Sequence, residues 1–294
     1  MSAPSPAVLR AILLLMGALV LFVLLDATAK HLGRTYPVPM LVWARYAVHF
    51  ALMVVLLGPS MRGRLVSTGR PGRQVVRALC LLAVTFFSMA ALSRMPLAET
   101  TAILFAAPLI VTLLARPVLG EQIGAVRWAA VLTGFAGVLL IARPGSGLVV
   151  EGVLLALAGA VSYAIYQILT RQLTATENPV TMLFYTALVG TGAMTLMLPW
   201  VWEGPLPDLK DALLIASLGV YGGTGHFLLI RAFRDAPAST LSPILYVQLV
   251  WATLLGWVIF GHFPDGLALA GILTIGAAGA MIALHSRSGA RKKV

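Results

Sequence analysis

The chain has 294 residues, of which 60% are hydrophobic and 11% are charged, with a mean hydropathy of +0.94. A soluble domain carries about 25% charged residues, so lipid must replace water over most of this surface. The net charge of +11 does not indicate a nucleic-acid-binding protein, because the basic residues lie in short loops and in the C-terminal tail.

Long apolar stretches follow one another along the whole chain. Each is long enough to cross a bilayer, which takes about 20 helical residues. Short segments rich in proline, glycine and charge separate them, for example 36–39 and 143–147. The pattern predicts an all-α membrane protein with ten transmembrane helices, near residues 9–28, 39–58, 75–93, 97–117, 125–142, 151–170, 180–201, 211–231, 238–260 and 266–285.

The two halves of the chain match each other at a constant offset of 141 residues, which places Pro96 on Pro237 and Gly120 on Gly261. The offset predicts two repeats, 1–146 and 147–294. Each repeat has an odd number of spans, so the second must insert upside down. Inverted repeats give a transporter two related conformations, with the substrate site near the midplane. A duplication retained for stability alone is the alternative.

Lys and Arg are distributed unequally between the two ends of the predicted spans. Fifteen of them fall on the side of the N-terminus and the C-terminal tail, and five fall on the other side. Because positive residues are retained on the cytoplasmic side, the bias predicts a bacterial inner-membrane protein with both termini in the cytoplasm.

Several short motifs resemble the signature of the EamA-type drug/metabolite transporters. They are Leu119-Gly120-Glu121, Trp128, Gly134, Gly137, Ala142-Arg143-Pro144 and, early in the second span, Ala44-Arg45-Tyr46. The resemblance covers essentially the whole chain as two units of five helices. It implies a ten-helix export or exchange carrier with a central cavity. His262 departs from the pattern, since it stands where the first unit has Glu121.

Four ionisable residues lie in the outer parts of the spans: Asp26, Arg45, His49 and Glu99. Such groups cost several kcal/mol unless they are paired or face water. Arg45 lies about 9 Å into its span, so an Asp26–Arg45 pair is feasible. We expect an outer gate, or a proton-sensitive network if His49 or a carboxylate titrates. The alternative is that Arg45 snorkels outward and the acids lie among lipid headgroups. The aligned positions in the second half are uncharged, so the inner gate is expected to work by packing.

Neutral polar and aromatic side chains recur at helical spacing, and we expect them to line the substrate cavity. They are Phe86, Met89, Tyr163, Tyr166, Gln167, His226, Tyr246, Gln248 and Trp251. Groups of this kind suit an amphipathic or aromatic solute. For each residue alone, interhelical packing or interfacial anchoring is the alternative. Gly219 and Gly223 predict close helix approach, more simply inside one chain than across a dimer.

Signatures of an enzyme are missing from the sequence, which has no HExxH, Cys/His cluster or Walker motif. We therefore expect a secondary transporter that needs no cofactor or metal and works by alternating access. Neutral or aromatic amino acids are the leading substrate class, with export as the direction. The alternatives are a vitamin or nucleobase-like metabolite, or a lipid flippase or sensor on the same fold. The expected partners are the substrate, the lipid bilayer and coupling protons, with the protein a monomer or dimer.

Overall fold

The computed structural model describes residues 6–119, 124–143, 147–174, 176–202, 205–236, 241 and 244–291. These residues form helices joined by loops, and no strand occurs among them. The helices are α1 Pro6–Leu32, α2 Val38–Met61, α3 Pro71–Leu92, α4 Leu97–Leu104, α5 Ala107–Leu119, α6 Ala125–Ala142, α7 Val150–Leu173, α8 Pro179–Val201, α9 Leu209–Asp235, α10 Val247–Phe260 and α11 Gly266–Arg291. A short 3-10 turn, Arg62–Leu65, follows α2.

The helices have the length and composition of a multi-pass membrane protein. Seven segments of the described chain are long and apolar enough to cross a membrane, and one of them, Leu97–Leu114, joins α4 to most of α5. Shorter apolar helices occupy Trp128–Ala142, Val247–Phe260 and Gly266–Ile282. Large apolar side chains on the outside, such as Leu139 and Val258, are 71% and 74% exposed. In a bilayer these side chains contact lipid.

Proline and short polar side chains set where several helices begin. Pro71 starts α3 and Pro179 starts α8, where the missing N–H costs nothing. Asn178 caps α8 by accepting a 2.8 Å hydrogen bond from the Val180 amide. The span predicted to begin near residue 75 begins four residues earlier, at Pro71. Arg77 therefore lies in the second turn of α3, with only 2% of its surface exposed.

The span predicted near 97–117 is two helices rather than one. A turn at Phe105 and Ala106 separates α4 from α5. Pro108 explains the break, because it has no N–H to donate to the Leu104 carbonyl and its ring would collide with that carbonyl. The break places Leu104 and Phe105 where the cavity described below lies.

One face of the bundle is defined by contacts at the beginning of α1. Arg10 lies 3.6 Å from Asp235 at the end of α9. Thr68, before α3, donates a 2.6 Å hydrogen bond to Glu177, before α8. We call this the Arg10 face.

The opposite face is defined by contacts at the end of α1, and we call it the Glu99 face. Lys30 donates hydrogen bonds to the carbonyls of Leu92 (2.9 Å) and Met95 (2.5 Å), after α3. Glu99, at the start of α4, lies 2.9 Å from His262, after α10. Two ion pairs on this face tie further helix ends together: Arg94–Glu151 at 3.1 Å and Arg143–Asp265 at 2.7 Å.

The helices pack across the two halves of the chain. α1 packs along α9, α3 along α7, α6 along α11, and α2 against both α8 and α9. The α2–α9 approach is close, because a Cβ added at Gly219 would lie 2.5 Å from Val48 Cβ. A Cβ added at Gly223 would lie 3.0 Å from the His49 ring. The small-residue spacing of Gly219 and Gly223 thus serves packing within the chain, as predicted.

Candidate functional site

A cavity of about 370 Å³ lies inside the bundle. Small-molecule sites typically enclose about 300–1,000 Å³, so the cavity has room for a metabolite. Both halves of the chain supply its walls. Its polar and charged lining residues are Asp26, Arg45, Thr85, Ser88, Thr101, Tyr163, Gln167, His226, Tyr246 and Gln248.

Arg45 reaches the cavity from α2 and is held by a network on α3. It donates a hydrogen bond to Thr85 Oγ1, and its guanidinium carbon lies 5.2 Å from the centre of the Tyr46 ring. Tyr46 donates to the Leu81 carbonyl at 3.1 Å and shares a 2.9 Å hydrogen bond with Thr85. The charge is therefore oriented by neutral partners. Because a guanidinium has five N–H donors, these partners leave most of its donors without an acceptor.

Asp26 reaches the same cavity from α1. It lies six residues before the end of its helix, so it stands about 9 Å inside the Glu99 face. The feasible Asp26–Arg45 ion pair is not formed, because these two described side chains share neither a salt bridge nor a hydrogen bond. Both charges line the cavity instead.

Aromatic rings form much of the remaining wall. Tyr246 meets Phe105 edge to face, with ring centres 5.5 Å apart. Phe22 meets His226 in the same way at 5.0 Å. Tyr163 is the fifth ring, and the amides of Gln167 and Gln248 lie among the lining residues. A wall of rings and neutral amides suits a flat solute with hydrogen-bonding edges.

Three of the residues predicted to line the cavity lie behind it. Tyr166 stacks on Tyr163, with ring centres 5.9 Å apart and planes 14° apart. Phe86 packs into the apolar cluster of α1, α2 and α9, and Trp251, on α10, packs against α1. Met89, also predicted, does line the cavity. Sequence spacing identified the helix in each case, but the rotation of the helix decided which side chain faces inward.

The two other predicted gate residues occupy different places. His49 is 5% exposed and lies against Gly223, and its Nε2 makes no hydrogen bond within the described chain. Glu99 is 3% exposed and bonds to His262 on the Glu99 face. Asp26 and Arg45 are therefore together in the cavity, while His49 and Glu99 lie away from its lining.

Comparison of the amino-acid sequence with protein families identifies the family of this chain. The model of the EamA-like transporter family matches residues 9–143 and, a second time, residues 150–284. The chain belongs to the EamA-like transporter family.

Curated relatives of this EamA-like protein cover most of its length. An S-adenosylmethionine uptake transporter of Rickettsia bellii is 28% identical over 274 residues, 92% of this chain and 91% of the relative. A riboflavin transporter of Vibrio cholerae serotype O1 is 26% identical over 250 residues, 83% of each chain. A solved crystal structure at 22% identity has a TM-score of 0.68 and covers 95% of this chain and 98% of its own, which shows a shared fold.

The family assignment confirms the resemblance noted in the sequence and makes this chain a small-molecule transporter. Its relatives are named as transporters, in agreement with the expectation that it is not an enzyme. Their names do not support amino-acid export, and they fit the alternative of another metabolite better. Of the motif residues, Gly120, Glu121 and Pro144 lie outside the described residues, as does Pro243.

Arg77 is a charged residue of this EamA-like bundle that sequence reasoning missed. It donates hydrogen bonds to the Met182 carbonyl and to Thr186 Oγ1 (2.9 Å), and its guanidinium lies 5.2 Å from the Tyr166 ring. These contacts join the first half of the chain to the second, toward the Arg10 face. The sequence led us to expect an inner gate that works by packing, and Arg77 adds a charged contact between the halves toward that side. The sequence contains a signal for the burial of Arg77, which lies four residues before Leu81 and therefore on the same face of α3 as this apolar residue.

Two surface contacts on the Glu99 face involve groups with shifted pKa values. Tyr36 donates a 2.7 Å hydrogen bond to Asp211, and this bond to a carboxylate raises the pKa of Tyr36 to about 12. Asp265 accepts the Ala268 amide at the start of α11 and pairs with Arg143. The hydrogen bond from the Ala268 amide has the larger effect and that from Arg143 the next, and both lower the pKa of Asp265. Both contacts hold helix ends together on that face.

Proposed function

We propose that this chain is a secondary transporter that moves a flat heteroaromatic metabolite, of vitamin or nucleobase type, across the bacterial inner membrane by alternating access. The observation that carries the proposal is the cavity between the two halves, lined by Tyr163, Tyr246, Phe105 and neutral amides. Flat rings with polar edges bind well to such walls, because ring faces stack and amides pair with ring nitrogens and oxygens.

The directions of the helices support an inverted repeat. α1 begins on the Arg10 face, whereas its repeat partner α7 begins on the Glu99 face, where Glu151 meets Arg94. The broken span α4–α5 begins on the Glu99 face, and α10, the repeat partner of α5, ends there. α6 ends on that face and its partner α11 begins there. With α4 and α5 counted as one broken span, we propose five spans in each repeat, each running opposite to its partner.

The packing supports alternation between two related conformations. The contact of α1 with α9 is matched, under the repeat, by that of α7 with α3. The contact of α2 with α9 is matched by that of α8 with α3. Polar contacts join the halves toward both faces, among them Glu99–His262 on one and Arg77–Thr186 toward the other. We propose that these two contacts open in turn.

The named relatives favour the heteroaromatic class over simple amino acids. S-adenosylmethionine and riboflavin, which appear in their names, both contain a flat nitrogen-bearing ring system. The Rickettsia bellii relative is named for uptake, which favours import over the export expected from the sequence. The basic residues of the α2–α3 connection, including Arg64 and Arg70, support a cytoplasmic Arg10 face.

Counterflow into proteoliposomes tests the proposal. Vesicles loaded with unlabelled S-adenosylmethionine or riboflavin should accumulate the matching radiolabelled solute, and empty vesicles should not. Gln167→Leu in the cavity wall should lower counterflow by about tenfold, because a buried ring-edge hydrogen bond is lost.

Gln74→Leu makes the same chemical change at a fully buried position outside the lining, and it should leave counterflow unchanged. Transport of simple amino acids alone, with no movement of any ring-bearing vitamin or nucleoside, would contradict the proposed substrate class.

A further inference from the structure

The cavity contains an acid and a base that do not neutralise each other. Among the described residues, the charged side chains six or more residues from a helix end are Asp26, Arg45 and Arg77. Asp26 and Arg45 both line the cavity and interact electrostatically, yet no ion pair joins them. Arg77 lies outside the lining, behind Tyr166.

Leaving such charges apart is costly, so their separation needs a cause. A charge inside a membrane bundle is stabilised by pairing, and the shortest way to pair these two would be with each other. The fold prevents this, because Thr85 and the Tyr46 ring hold Arg45 against α3, while Asp26 is carried by α1. Tyr46 is itself 2% exposed and fixed by Leu81, so the arginine is held by a rigid neighbour.

Two separated opposite charges in one cavity are the complement of a zwitterion. A head group with both an ammonium and a carboxylate would form two ion pairs in place of the missing one, and the head group itself adds no net charge to the site. A purely cationic or anionic ligand would satisfy one side chain and repel the other. Arg45 also has donors to spare for a carboxylate, since Thr85 accepts the hydrogen bond that it makes.

We infer that the cavity recognises the ammonium–carboxylate head group of an α-amino acid that is carried by a heteroaromatic metabolite. Asp26 binds the ammonium and Arg45 binds the carboxylate, while the ring lies against Phe105, Tyr163 and Tyr246. The inference rests on the proposed function and narrows it. It selects metabolites of the S-adenosylmethionine type over ring systems such as riboflavin, which lack the head group.

The other polar groups around this pair are consistent with that division of the cavity. His226 faces the cavity from α9 and packs edge-on against Phe22. Phe22 lies one helical turn before Asp26 in α1. Gln167 and Gln248 carry no charge and supply hydrogen bonds for a ring edge. Among the described lining residues Asp26 is the only acid, and Arg45 is the only basic side chain besides His226.

Two adenosine thioethers that differ in the head group provide the test. S-adenosylhomocysteine carries the ammonium and carboxylate, and 5′-methylthioadenosine lacks both. We measure how each competes with radiolabelled S-adenosylmethionine in counterflow. In the wild type, S-adenosylhomocysteine should compete at least about tenfold better.

Asp26→Asn and Arg45→Gln should each abolish this preference in direct equilibrium binding, where 5′-methylthioadenosine should bind as it does to the wild type. Arg45→Lys should retain part of it, because the charge remains but the planar fork is lost. Asp211→Asn, the same change at an acid outside the cavity, should leave the preference intact. Monodisperse elution of each variant shows that it is folded.

Equal competition by the two thioethers in the wild type would refute the head-group inference even if a variant failed to fold. In that case counterflow of riboflavin or S-adenosylmethionine would still uphold the proposed function. If no ring-bearing solute exchanges at all, the proposed function fails first and the head-group inference fails with it.

Discussion

Tyr246 holds its place in the cavity wall because position 279 has no side chain. A Cβ added at Gly279 would lie 1.7 Å from Tyr246 Cζ and 1.8 Å from its hydroxyl oxygen. Ordinary contact is about 3.5–4.0 Å, so the ring would have to move by about 2 Å. Phe105 contacts the same ring, so the movement must disturb the aromatic wall. We expect Gly279→Ala to weaken binding of a heteroaromatic solute by about tenfold, roughly 1.4 kcal/mol.

The stability of this variant should fall only modestly. Replacing a mid-helix glycine by alanine favours the helix by about 0.5–1 kcal/mol. Overpacking costs about 1–3 kcal/mol, so the net loss of stability is about 0–2.5 kcal/mol. Gly276→Ala, one turn earlier in α11, is the matched control. Its Cβ would meet Leu249 at 3.6 Å, which is ordinary contact, so binding should be unchanged.

The assay combines equilibrium binding of radiolabelled substrate in detergent with the temperature at which the monodisperse fraction falls by half. Tyr246→Ala removes the ring that collides with the new Cβ. In that background Gly279→Ala should therefore have little further effect, which a double-mutant cycle measures. Wild-type affinity in Gly279→Ala, or an equal loss in Gly276→Ala, would refute the role given to Tyr246.

Two further predictions concern the Glu99 face. Glu99→Ala removes the contact to His262 between the halves and should favour opening on that face. The assay uses Ser88→Cys in the cavity wall, in a Cys80→Ala background. With Glu99→Ala added, the cysteine at position 88 should react severalfold faster with a membrane-impermeant thiol reagent than it does with Glu99 present. A cysteine at the exposed position 35 is the control, and an unchanged rate at position 88 would exclude Glu99–His262 as a gate contact. Asp265→Ala should lower the Tm at neutral pH, because the pKa of Asp265 is depressed in the folded protein and its ionised form therefore stabilises the fold. The difference in Tm should shrink as the pH falls below the ordinary carboxyl value of 3.8; a difference that persists there would show that the charge is not its source.

Much of the cavity was predictable at the level of helices and less so at the level of side chains. Asp26 and Arg45 were identified because a charge within an apolar run is rare and needs a reason. Tyr166 and Trp251 were placed in the cavity on helical spacing, which cannot tell a side chain that faces a cavity from one that faces another helix. His262 and Lys30 were missed as contacts, since nothing in their local sequence indicates Glu99 or the end of α3 as a partner.

The amino-acid sequence by itself determined that the chain lies in a membrane, that it is duplicated and that it belongs among small-molecule carriers. These properties depend on composition and periodicity, which are summed over many residues and survive errors at any one position. Only the tertiary structure decided that Asp26 and Arg45 share a cavity without pairing, and that Arg77 is buried. The physical reason is that both facts depend on the rotation of each helix and on one or two contacts between distant residues, such as Arg45 with Thr85.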